Sequence, residues 1–229
     1  MRYISACIVG LGSVALLGCT TPTTEPVSLG PDFMPLETGR FIVYDVTEQR
    51  YSLTAAPTTT TYQLKETVGN SYTDVTGQTA YRLQRYRRAT AAATWTPDSL
   101  WTARLTDRAA IRTENGVDFV KLQFPVQERD RWNGNQFNQY DDDQYQTRQV
   151  RQPYTIGSQS FDETVQVVQQ DDSTLVSRDK RVEVYARQLG LVYKERAQFH
   201  YCSTGACLGK AQIDFGVRQV FRLVAYGKE

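Results

Sequence analysis

From residue 40 onward the chain alternates apolar and polar positions in short runs separated by turn residues, the period-two signature of half-buried strands. Runs rich in β-branched and aromatic residues occupy 40–52, 58–68, 78–87, 94–104, 110–114, 117–124, 144–150, 161–170, 181–186, 189–201 and 212–226. Asn115-Gly116 is a tight-turn signal between two of them. The nearest helical candidate, 99–111 behind Pro97-Asp98, is better suited to a strand by its tryptophan and threonines. The pattern predicts an all-β, mainly antiparallel domain over 31–229, built as a strongly curved sheet or open barrel. Closure or strong curvature hides sheet edges and leaves a concave interior.

Along 189–201, Leu191, Tyr193, Ala197, Phe199 and Tyr201 share one side, and Lys194, Arg196, Gln198 and His200 share the other. The first set is expected to face inward. Glu195 is the exception within it. A carboxylate there lines a ligand cavity, pairs with an arginine, or sits at a wet rim, and the ion-pair and rim readings carry more weight. Tyr193, Glu195 and Phe199 are the candidate ligand-contacting residues. Either the interior accepts an acyl chain or similar ligand, or its own side chains fill it.

The first 30 residues break with this pattern. Arg2 precedes an apolar run from Ile4 to Leu17, too short for a permanent membrane span, that ends in Leu16-Leu17-Gly18-Cys19. This reads as a signal helix over 1–18 that is removed on export. Its ending resembles the lipobox of bacterial lipoproteins, which implies that Cys19 carries the lipid and becomes the first residue. An uncleaved anchor and an ordinary secretory signal are the rival readings, but the polar, proline-interrupted stretch after Cys19 has no stop-transfer character. Residues 19–30 then form a lipidated tether. The expected location is the bacterial cell envelope, at the outer membrane and facing an extracytoplasmic space, with the membrane as the first partner.

Charge changes the picture by exclusion. The 229 residues carry 26 Lys and Arg against 25 Asp and Glu, and the leader removes one base and no acid. A neutral exported domain is not expected to bind nucleic acid. The arginine- and tyrosine-rich stretch 81–88 is accordingly read as a strand with arginines stacked on tyrosines. Asp141-Asp142-Asp143 lacks calcium-loop spacing and is read as a hydrated loop. The one histidine, His200, falls on the polar side and belongs to no catalytic motif, and Gly-x-Ser-x-Gly is absent. No metal and no cofactor are expected.

Of four cysteines, Cys7 leaves with the leader and Cys19 takes lipid. Cys202 and Cys207 remain, and in an oxidising compartment they are expected to bridge across a hairpin mouth. Four further segments then carry a resemblance: residues 33–44 with Pro35-Leu36-Glu37-Thr38-Gly39, Phe124-Pro125-Val126, the Trp132-Asn133-Gly134-Asn135 element, and Leu189-Gly190-Leu191-Val192-Tyr193-Lys194-Glu195. They resemble landmarks of uncharacterised bacterial envelope lipoproteins, and the last is similar to a segment of periplasmic curved half-barrels that include lipoprotein carriers. The resemblance implies an architecture and brings no catalytic residues. The expectation is a non-catalytic binding or structural lipoprotein whose partner is a hydrophobic ligand, a glycan or an envelope protein. The alternative is a hydrolase of an envelope polymer, which requires a nucleophile with a base or convergent carboxylates, the latter among Asp45, Glu66, Glu114, Asp118, Glu163, Glu183 and Glu195.

Overall fold

A computed structural model describes residues 28–229; the leader, Cys19 and the tether up to residue 27 lie outside the described residues. Twelve strands form one antiparallel sheet: β1 (Arg40–Tyr51), β2 (Thr58–Thr73), β3 (Thr79–Arg88), β4 (Thr96–Leu105), β5 (Ala109–Glu114), β6 (Val117–Gln123), β7 (Arg131–Asn133), β8 (Gln144–Ile156), β9 (Gln159–Ser173), β10 (Ser177–Ala186), β11 (Gly190–Tyr201) and β12 (Ile213–Lys228). The segment read as a possible helix is β4 and the start of β5. Only the turn Pro31–Phe33 is helical among the described residues.

Each strand pairs with its neighbours in sequence, and β12 returns to pair with β1. The exception is β6 and β7, which are the sheet's two edges. That seam is bridged without a regular ladder. Val120 N donates to Gly134 O at 2.9 Å, Trp132 Nε1 to Val120 O at 2.8 Å, and Asn138 Nδ2 to Asp118 O at 2.7 Å. The result is a nearly closed barrel, which leaves little edge for pairing with other chains. Gly134 is required at the seam, since a Cβ there would meet the Tyr145 ring at 2.3 Å.

β7 escapes the sequence pattern because three residues cannot show a period. The last strands of the β8–β9 hairpin also run past their expected ends, because bulges absorb what looks like a break. Gln149 and Arg151 adopt positive φ around two register shifts that carry β8 through Pro153. The far half of this hairpin bends back over β10 and β11, where Tyr154, Ile156 and Phe161 pack on Val184, Ala186, Val192 and Leu223 and Gln159 Nε2 donates to Val224 O.

This covering inverts one expectation. Glu183 of β10 faces Lys194 of β11, which faces Phe221 of β12, and all three point into the barrel. Tyr193, Glu195, Ala197 and Phe199 therefore point outward with Val182, Val184 and Val220. Leu191 stays inside because the bulge at Val184/Tyr185 changes the phase of the ladder. The physical reason is that the interior here is charged and the apolar outer face has its own cover, so apolar does not mean inward.

One apolar cluster gathers Leu122, Trp132, Tyr145, Val165, Val167 and Tyr185 and extends to Ile111 and Val120 on the outer side of β5 and β6, and a second, inside, gathers Tyr44, Val46, Leu64 and Phe221. The entry segment corks one end, burying Phe33 and Met34 in the first cluster, with Arg187 holding Asp32 at 2.6 Å. The opposite end carries the Cys202–Cys207 disulfide, whose Cα atoms are 5.7 Å apart.

Candidate binding site

The barrel interior holds two spaces divided by buried charge. The tether-end chamber, of about 280 Å³, lies where the chain enters. Met34, Pro35 and Leu36 of the entry segment, Ile42 of β1, Val68 of β2, Leu83 of β3, Ala103 of β4 and Leu191 of β11 wall it. Its polar boundary consists of Tyr44, Tyr185, Glu66 and Arg112, with Arg40 and Lys228 at the β1–β12 end. A second space of about 440 Å³ lies toward the disulfide end and is lined chiefly by polar groups, among them Glu114, Lys121, Asp143, Arg181, Glu183, Lys194 and Arg196.

The divider is a chain of ion pairs that crosses the barrel. Arg112 Nη2 lies 2.6 Å from Glu66, and its Nε is 3.7 Å from Glu114. Lys121 Nζ lies 3.2 Å from Glu114 and 3.0 Å from Glu183, and Lys194 lies 3.1 Å from Glu183. Tyr185 OH donates to the second Glu183 oxygen at 2.6 Å. Arg85 joins Glu66 at 3.6 Å and lies over the Trp101 ring. Four cations thus face three carboxylates, with Glu183 only 1 % exposed.

The local cause is placement of charge at inward positions of β2, β3, β5, β6, β10 and β11, which the sheet's curvature brings face to face. Burial opposes ionisation of Glu183, but Lys121 and Lys194 outweigh it and hold the carboxyl well below the ordinary range. Glu114 follows the same balance, brought down to about 2 by Lys121, Lys194 and Arg112 against burial. Lys121 is destabilised as a cation by burial, and Glu114 and Glu183 raise it nonetheless. Tyr44 and Tyr185 are raised by burial and remain neutral donors. An isolated buried charge costs several kcal/mol, so these groups stand only as a set.

This arrangement bears on chemistry. Glu114 and Glu183 do converge, flanking one ammonium. Acid–base catalysis needs two groups pushed to different pKa values, and here both carboxyls are pushed the same way. The network supplies fixed charge and hydrogen-bond capacity. Arg85 Nε and Arg112 Nε are buried without an acceptor in hydrogen-bond range.

The three residues singled out from sequence do not line the tether-end chamber. Tyr193 packs beside Tyr154, and Phe199 beside Tyr51. Glu195 borders the second space, and its carboxylate is engaged by Lys180 at 2.6 Å, Arg218 at 2.8 Å and Tyr193 OH at 3.0 Å. Burial pushes its pKa up, but the bonds from Lys180 and Arg218 prevail and bring it to about 2. That is the ion-pair reading of this residue. Cys202 and Cys207 are bridged as expected, and Cys19 lies outside the described residues.

Arg82, Arg85, Arg87 and Arg88 stack over Tyr72, Trp101, Tyr62 and Trp95. Asp143 binds Arg181 at 2.6 Å, and Asp142 accepts from Asn133 at 2.6 Å, so these loop oxygens face protein donors. His200 stacks on Phe215 with ring centroids 4.3 Å apart. Among the described residues no helix is long and apolar enough to cross a membrane, and no cluster of three or more His, Cys, Asp and Glu is arranged to hold a metal. Comparison of the chain with protein-family models, with curated proteins and with solved structures finds no match.

Proposed function

We propose that this chain is a lipid-anchored envelope lipoprotein with a non-catalytic role, in which a barrel tethered at Cys19 holds an apolar ligand in the tether-end chamber. The observation that carries the reading is the chamber itself. An apolar space of about 280 Å³ inside the barrel is near the lower end of small-ligand sites, ~300–1,000 Å³. Its boundary is held in place by charges that are already paired. The leader and its Leu-Leu-Gly-Cys ending support the anchor. Nine residues lead from Cys19 to Ser28, a reach of at most about 30 Å, so the chamber end stays close to the anchored surface. The downward shift of both Glu114 and Glu183 favours binding over hydrolysis.

The test is a titration of the full chain in lipid nanodiscs with the apolar dye N-phenyl-1-naphthylamine, with empty nanodiscs as the blank. One saturable site per chain is expected. Ala103→Phe, which places a ring into the chamber, is expected to abolish it while the circular dichroism stays that of β-structure. Dye binding that is unaltered by Ala103→Phe would place the ligand elsewhere.

A further inference from the structure

The mouth of the tether-end chamber carries two cations that meet on adjacent strands. Arg40 opens β1, Lys228 closes β12, and the two are direct partners in that ladder. Both line the chamber, and both engage one carboxylate, Glu37 of the entry segment. Arg40 Nη1 lies 3.6 Å from it and Lys228 Nζ donates a hydrogen bond to it. The Lys228 bond and charge hold the Glu37 carboxyl below its ordinary range. Glu37 is 54 % exposed and Lys228 56 %, whereas the walls below them are buried or half-buried aliphatic groups. The rim is therefore a seat that accepts a carboxylate, placed over an apolar shaft and occupied by a residue from the chain itself.

We infer that the chamber takes a single-chain anionic amphiphile, with its head between Arg40 and Lys228 in the position of Glu37 and its chain against Leu36, Ile42, Leu83 and Leu191. This rests on the reading of the chamber as the ligand site and adds the ligand's chemical class and orientation. Three observations select that class. Arg40 and Lys228 against Glu37 leave that cluster, beside the separate Lys65–Glu229 pair, with one positive charge, which matches one anionic head. Exposed ion pairs are weak, so Glu37 is displaced at little cost. Size limits the tail: about 280 Å³ lies at the lower end of small-ligand sites. That size suits one medium chain better than the paired chains of a diacyl lipid.

The experiment uses the full chain in nanodiscs and decanoate labelled with ¹³C at the carboxyl, with decanol and decyl phosphate as competitors. One saturable bound carboxyl resonance per chain is expected. Arg40→Gln and Lys228→Gln should each weaken decanoate about two- to fivefold, and Glu37→Gln should strengthen it by a similar factor. Tighter binding of decyl phosphate than of decanoate assigns the head to a phosphate, and the reverse assigns it to a carboxylate; either supports the rim seat. If decanol binds as well as decanoate and the Arg40→Gln, Lys228→Gln double variant changes nothing, the seat is overturned while the chamber stands. If neither decanoate nor decanol binds saturably, the seat and the chamber reading fall together.

Discussion

Glu183→Gln is the sharpest probe of the buried divider. The substitution keeps the shape of the side chain and an acceptor for Tyr185 OH, but it leaves Lys121 and Lys194 without their shared carboxylate. Breaking a buried ion pair on one side costs about 3–5 kcal/mol. That is a large part of the roughly 5–15 kcal/mol that holds a domain together. With a urea slope of about 2–3 kcal/mol/M for a chain of this size, the midpoint at pH 7 should fall by roughly 1 to 2.5 M. The pH dependence adds a second constraint. Glu183 is held below its ordinary value of 4.5 in the folded state, so its contribution is complete above that value and declines as pH falls, because the unfolded chain takes up the proton first. The gap between wild type and Glu183→Gln should therefore narrow by roughly 2 kcal/mol between pH 7 and pH 3. Urea unfolding followed by tryptophan fluorescence at both pH values reads this. A gap under about 0.5 kcal/mol at pH 7, or one of equal size at both pH values, would show that the divider does not carry stability in the way described. Lys121→Met combined with Glu183→Gln should cost less than the sum of the two single changes, since the two groups touch.

Three further outcomes are expected. On the proposed anchor, Cys19→Ala should abolish incorporation of labelled palmitate and shift the protein between membrane and soluble fractions; unchanged labelling would remove the lipoprotein reading. Replacing Cys202 and Cys207 together with serine should cost about 2 kcal/mol in thermal or urea unfolding, the chain-entropy value for so short a loop, and leave the chain folded. Gly134→Ala should drive a methyl group into the Tyr145 ring and open the seam, at a cost of about 1–3 kcal/mol. Native-state hydrogen exchange should then show the Val120 amide losing protection before the β1–β12 ladder does, and uniform loss along both would contradict the seam.

The strands were legible because each carries its own local signal, in β-branched and aromatic residues at period two with Gly, Pro or Asn between runs. The ring of neighbours was legible in outline, since nothing in the pattern calls for helical crossovers. What local pattern could not show is which side of each strand faces in. Bulges at Val43/Tyr44 and Val184/Tyr185 change the phase within a strand, and a hairpin from elsewhere in the sheet covers the outer face of β10 and β11. Alternation alone puts Tyr193, Glu195 and Phe199 inward for that reason. The divider had a readable half: Glu66, Glu114 and Glu183 stood out as carboxylates worth mapping. Their partners Arg112, Lys121 and Lys194 did not, although a lysine between Val120 and Leu122 in an apolar strand is the kind of local conflict that marks a buried pair. The chamber depends on the entry segment folding onto four strands remote in sequence, and no local feature announces it.

Native mass spectrometry of the full chain released from its own membranes would decide whether the barrel holds a ligand. The account predicts one single-chain anionic amphiphile per wild-type chain, lost on Ala103→Phe and retained on substitution of the outward-facing Tyr193 by alanine. A wild-type chain that emerges with no adduct, or an adduct of equal occupancy on Ala103→Phe, would contradict it.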